Sequence, residues 1–84
     1  MLNLDIAFLD GTSAEVLAVA SDFVRWEAKY DLSVARFNQD MKLTHLMFLG
    51  WSVLKRTKQT EVEFEEWVDL VQGVTVIDSK KSKG

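Results

Sequence analysis

Apolar and polar positions alternate at the start of the chain. Leu2, Leu4, Ile6 and Phe8 are separated by Asn3, Asp5 and Ala7, the two-residue period of a strand with one buried face. Asp10-Gly11 follows, a pair suited to a type I′ turn, in which both central residues take positive φ. The run 14–20 then returns as the second strand of a hairpin. A second reading fits the same residues. Thr12 and Glu15 are spaced as a capping box, so Val16, Val19, Phe23 and Tyr30 could line one face of a long helix.

Beyond residue 20 the period lengthens. Ser21 or Asp22 can cap a helix running to about Tyr30, with Phe23, Trp26 and Tyr30 near one face. Ser33 could cap a short turn carrying Val34 and Phe37. Asp40 is then placed to cap a stronger helix over about 41–57. At about 100° per residue, Leu43, Leu46, Met47, Gly50, Trp51, Val53 and Leu54 share one broad arc. Lys42, His45, Ser52, Lys55 and Arg56 share the other. Lys55 and Arg56 fall in the last turn, where cations complement the helix dipole. Gly50, in mid-arc, costs about 1 kcal/mol against alanine and so points to close backbone packing.

The stretch 57–60 reads as a loop, and Thr60 with Glu63 forms a second capping-box spacing. Phe64, Trp67, Val68 and Val71 follow the i, i+3, i+4, i+7 rule. Gly73 stands where a left-handed C-cap is expected. The β-branched run 74–77 is extended, either pairing with the hairpin or crossing the core. Facing arcs predict a core of Leu43, Met47, Trp51, Leu54, Phe64, Trp67, Val68 and Val71. The fold class expected is therefore α+β: an N-terminal hairpin, about three helices and a short extended segment. One domain is expected over residues 1–78, followed by a basic, disordered tail at 79–84.

Composition narrows the function. A chain of 84 residues buries only about 60–65% of its unfolded surface, which leaves little room for an enclosed active site. Net charge is −3, and Glu61, Glu63, Glu65, Glu66 and Asp69 cluster with no base between Glu61 and Val71. Such a face repels phosphate backbones, so no nucleic-acid partner is expected. The tail lysines Lys80, Lys81 and Lys83 are too few beside that domain to reverse this. The absence of cysteine excludes disulfides, thiolate metal sites and cysteine nucleophiles. The longest apolar run, 46–54, is too short to span a bilayer. The N-terminus lacks the basic start of a secretory signal. Cytosolic expression without a membrane partner is the expectation.

Candidate chemistry is sparse. His45 is the single histidine, so one chain cannot supply a two-histidine metal site. With no nucleophile at a useful spacing, a helix-surface histidine is the better reading. The acidic cluster lacks the alternating ligands and sharp glycine turn of a calcium loop and reads as a solvated helix face. No catalytic, cofactor-binding or metal-binding residues are assigned, and no enzymatic activity is expected. One feature points outward. Met41, Phe48 and Leu49 lie on the arc shared with Lys42, His45, Ser52 and Arg56, so this helix is apolar almost all round. It is either sandwiched between elements or covered by a partner. Under the second reading Met41, Phe48 and Leu49, with Lys55 and Arg56 at the rim, form a protein-binding surface.

Several blocks carry a resemblance. After Asp10-Gly11-Thr12 come Asp22-Phe23-Val24-Arg25-Trp26-Glu27, then Leu46-Met47-Phe48-Leu49-Gly50-Trp51-Ser52-Val53-Leu54-Lys55-Arg56-Thr57. The acidic block Val62-Glu63-Phe64-Glu65-Glu66-Trp67-Val68-Asp69-Leu70-Val71 follows. Over roughly residues 2–78 the chain resembles the tail assembly chaperones of long-tailed, siphovirus-type bacteriophages. It departs from their pattern at Gly50, where relatives often carry alanine.

The resemblance favours the hairpin over the long helix. It also implies a binding function: a chaperone that keeps the tape measure protein soluble and extended and helps recruit tail tube subunits. In many relatives a ribosomal frameshift yields a longer product that contacts the tail tube protein, and this chain would be the short product. The implied setting is the host cell cytoplasm, with the chaperone absent from the mature virion and able to form a homo-oligomer. The competing expectation is a small phage-encoded regulatory adaptor that binds one folded protein partner.

Overall fold

A computed structural model describes residues 2–33, 35 and 42–77. The expected turn at Val34 and Phe37, the Asp40 cap, Met41 and the basic tail all lie outside the described residues.

The alternating N-terminus forms β1 (Leu2–Phe8) and β2 (Ser13–Ala18), paired antiparallel with Leu4 opposite Val16 and Ile6 opposite Ala14. The long-helix reading of this segment is thereby overturned. The turn is not type I′, because Gly11 alone takes positive φ, at 95°. The Gly11 N–H donates to the Phe8 carbonyl at 3.1 Å, and the Phe8 N–H to the Thr12 carbonyl at 2.9 Å. This is a three-residue loop in which a single glycine supplies the left-handed residue. Asp10 holds it by accepting from the Thr12 N–H at 2.9 Å and the Thr12 hydroxyl at 2.6 Å.

Helix α1 (Ala20–Tyr30) starts three residues earlier than an Asp22 cap would place it, with Val19 at the N-cap. Its buried face carries Trp26, with Phe23 and Tyr30 half-buried beside it, while Val24 is exposed. Helix α2 (Leu43–Arg56) begins after Lys42, not at Met41. Its C-terminus closes through Lys58, which stands in the left-handed region at φ 64°. The Gln59 N–H reaches the Leu54 carbonyl at 2.8 Å, and the Lys58 N–H reaches that of Lys55 at 3.1 Å. This is the Schellman pattern.

The acidic block forms a single α-turn, α3 (Phe64–Trp67), and a 3₁₀ turn, Val68–Leu70, in place of the longer helix expected. Glu63, not Thr60, precedes the helix. The chain then straightens at once into β3 (Val71–Ile77), so Gly73 is a strand residue and not a helix cap. β3 pairs antiparallel with β1, with a register shift at Ala7/Phe8, and the sheet order is β2-β1-β3. The mixed α+β class and the element order agree with the sequence pattern.

The core lies between one face of this sheet and the helices. Leu4, Ile6, Val16, Ala18, Trp26, Phe48, Leu49, Val53, Leu54, Trp67, Val71 and Val74 form one buried cluster. α2 is sandwiched: it packs on the strands with one side and on α1 with another. At Gly50 the helix packs tightly against Ile6 of β1. A β-carbon there would lie 2.9 Å from Ile6 Cδ1 and 3.6 Å from Trp67 Cη2. Of the predicted core, Leu54, Trp67 and Val71 are buried. Met47, Trp51, Phe64 and Val68 are half-buried at its margin, and Leu43 is 56% exposed.

Candidate functional site

The phase of α2 decides what is left for a partner. The helix presents His45, Phe48, Leu49, Ser52 and Val53 inward, a stripe rotated away from the arc read off the sequence. Two polar residues are drawn in with it. Ser52 is buried because its hydroxyl donates to Asp22 Oδ1 at 2.7 Å. His45 is buried because its ring meets Trp26 at 5.4 Å and Tyr30 at 5.1 Å between centroids. It is therefore not a surface histidine. Its Nδ1 has no hydrogen-bond partner among the described residues.

Asp22 is the centre of a buried polar node. The carboxylate accepts from the Val19 N–H at 2.9 Å, which satisfies the start of α1, and from Ser52. Arg56 Nη2 and Nε donate to its two oxygens at 2.9 and 3.3 Å. Burial alone would push the Asp22 carboxyl up. The bonds from Arg56, the Val19 N–H and Ser52 outweigh burial and hold it below the ordinary carboxylate range. Arg56 is correspondingly held higher by Asp22. The node ties α1 to the last turn of α2.

The surface expected at Met41, Phe48, Leu49, Lys55 and Arg56 is not assembled. Phe48 is 5% exposed and Leu49 is fully buried, so neither presents apolar area to a partner. Phe48 is enclosed by Tyr30, Trp51 and Phe64, at 5.6, 5.6 and 5.4 Å between ring centroids. Arg56 is committed to Asp22. Lys55 lies over the Trp51 ring and pairs with Glu63 at 3.3 Å. Met41 lies outside the described residues. The helix is apolar almost all round because α1 covers its second side.

What remains open is the side of α2 facing α3. Trp51 Nε1 donates to the Val62 carbonyl at 2.9 Å, which pins the loop before α3. Lys55 also reaches the Glu61 carbonyl at 3.3 Å. Phe64 is thereby laid against Phe48 and Trp51, with Lys29 Nζ 5.9 Å from its ring centre. An open groove of 370 Å³ results, lined by Thr44, Met47, Phe64, Glu65 and Val68. Leu43 is exposed next to Thr44 and one turn before Met47. Sequence reading put Leu43, Met47, Phe64 and Val68 in the core. For α2 the missing signal was rotational: the buried pair Ser52–Asp22 turns Leu43 and Met47 toward the rim, while Phe64 and Val68 lie on the short turns that follow.

Glu61, Glu63, Glu65, Glu66 and Asp69 are exposed around α3. Among the described residues no group of acidic or histidine side chains is arranged to hold a metal ion. No helix among them is long and apolar enough to cross a membrane. Compared with known proteins, the chain matches no family model, no curated protein and no solved structure.

Proposed function

We propose that this chain is a protein-binding chaperone of the phage tail assembly type, which holds apolar helical segments of the tape measure protein in solution. The observation that carries the reading is the exposed and half-buried strip of Leu43, Met47, Phe64 and Val68 along the α2–α3 groove. An open apolar groove on a small domain suits an amphipathic helix laid along it. The exposed acids around α3 keep the loaded domain soluble through net charge. The resemblance of the blocks 46–57 and 62–71 to tail assembly chaperones supports the same reading. On this proposal the chain works in the host cytoplasm and leaves before the virion is complete. Tail tube subunits are recruited through a longer frameshifted product.

Co-expression with the tape measure protein tests it. The wild-type chain is expected to keep the client in the soluble fraction. Leu43→Asp, at an exposed position, is expected to leave the domain folded and return the client to the pellet. A folded Leu43→Asp variant with undiminished client solubility rejects the groove as the binding site. A wild-type chain that never solubilises the client rejects the chaperone reading.

A further inference from the structure

The two outer edges of the sheet differ in a way that bears on self-association. Phe8 donates to the Thr12 carbonyl, so the even-numbered residues of β1 bond toward β2. Ladder bonds alternate sides along a central strand, so Asn3, Asp5 and Ala7 bond toward β3. Their partners there are Ile77, Thr75 and Gly73. The N–H and carbonyl groups of Val74 and Val76 therefore point away from the sheet. Among the described residues no strand pairs with that edge.

An open edge is normally guarded by a charge, a proline or a covering element. On β2 the exposed Glu15 lies midway along the free edge. A two-fold pairing there would set Glu15 against its own copy. β3, Val-Gln-Gly-Val-Thr-Val-Ile, has no charge and no proline along seven residues. Its one irregularity, the register shift opposite Ala7/Phe8, lies near its start. Val76 is among the exposed large apolar side chains.

We propose that the β3 edge is a self-association surface whose occupant is β3 of a second copy, antiparallel about a two-fold axis at Val74. Self-complementarity argues for this occupant. Centred there, Val74 meets Val74 through two backbone hydrogen bonds and Val76 meets Gln72, the residue inserted at the register shift, so roughly two to six backbone hydrogen bonds form and no like charges meet. An isologous contact of this kind closes at two copies and gives a continuous six-stranded sheet. It uses the opposite side of the domain's chemistry from the α2–α3 groove: backbone groups and not side chains. The dimer therefore stands or falls independently of client binding.

Sedimentation velocity on the full chain, with amide hydrogen exchange, tests the proposal. A dimer is expected, with the Val74 and Val76 amides gaining protection as protein concentration rises. Val76→Pro removes only an outward N–H and is tolerated at an edge, so a folded monomer is expected. A wild-type chain that sediments as a monomer at every concentration overturns the proposal. So does a folded Val76→Pro variant that still dimerises. If Val76→Pro unfolds, exchange on the wild type decides. Concentration-dependent protection at Val74 and Val76 supports the edge pairing, and concentration-independent exchange there overturns it.

Discussion

Arg56, in the last turn of α2, donates two hydrogen bonds to Asp22, in the first turn of α1, at 2.9 and 3.3 Å. The carboxylate is fully buried, while the guanidinium side chain keeps 31% of its surface. The arginine thus carries charge to a site that water does not reach. Its own head remains partly hydrated, which limits the desolvation penalty of the pair. Ser52 and the Val19 N–H complete the acceptor's partners.

Asp22 should therefore make stability acid-sensitive. Its folded-state pKa is depressed, so its contribution is fully present above the unfolded carboxyl pKa, about 4. It is lost as pH falls through the folded value. Asp22→Asn should remove roughly 1.5–3 kcal/mol at neutral pH, the range for bonds to a charged group, and flatten the acid limb. Urea melts from pH 7 down to pH 2 measure both. An unchanged acid limb in Asp22→Asn would assign the dependence elsewhere. Arg56→Met should lower the midpoint more than Arg56→Lys, because it leaves the buried carboxylate with only the longer 3.8 Å ion pair to Arg25.

Gly50 and Ile6 should be energetically coupled. Alanine at 50 gains about 1 kcal/mol of helix propensity. Its β-carbon, however, would sit 2.9 Å from Ile6 Cδ1, in a part of the core where Ile6 is fully buried. Overpacking of this kind costs about 1–3 kcal/mol, so Gly50→Ala is expected to destabilise by about 1 kcal/mol. Ile6→Val removes the obstructing methyl and alone costs about 0.5–1.5 kcal/mol. The double variant should be more stable than the two single effects predict. A thermodynamic cycle with no coupling would show that α2 can move off the strand freely.

Gly50 and the hairpin show where sequence reasoning succeeds. Mid-helix Gly50 signalled a close approach because glycine there has no local justification. The hairpin was legible because alternation and Asp10-Gly11 agree. The rotation of α2 was not legible. Periodicity places apolar residues on an arc, but α2 has two apolar sides, and the tie-break is Ser52, drawn inward by an aspartate thirty positions away. The acidic block failed for a related reason. Phe64, Trp67, Val68 and Val71 satisfy helical spacing, yet Val71 also fits a strand, and its pairing with Phe8 ends the helix early. The groove escaped notice because its lining consists of residues that look like core.

Lys58 offers a stability gain unrelated to the core. It occupies the left-handed region at φ 64° while closing α2, a conformation that glycine adopts without β-carbon strain. Lys58→Gly should raise stability by about 0.5–1 kcal/mol, since the relieved strain of about 1–2 kcal/mol is partly offset by the added freedom of the unfolded chain. Thermal melts at matched ionic strength would show it. A lower midpoint would mean that the exposed lysine contributes through its charge or stem.

The buried and rim positions of α2 should separate folding from binding. Phe48 is enclosed by Tyr30, Trp51 and Phe64. Phe48→Asp would leave a charge buried among aromatic rings, a loss well beyond ordinary surface effects. Circular dichroism should show an unfolded chain, and any loss of client binding would then say nothing about contact. Leu43, on the open side of the same helix, can accept a charge without burying it. Leu43→Asp should shift the melt by no more than about 0.5 kcal/mol. The phase of α2 would be wrong if Phe48→Asp stayed folded and Leu43→Asp unfolded. With the phase right, the face of α2 left open is the one bearing Leu43 and Met47, because α1 and the sheet already occupy the others.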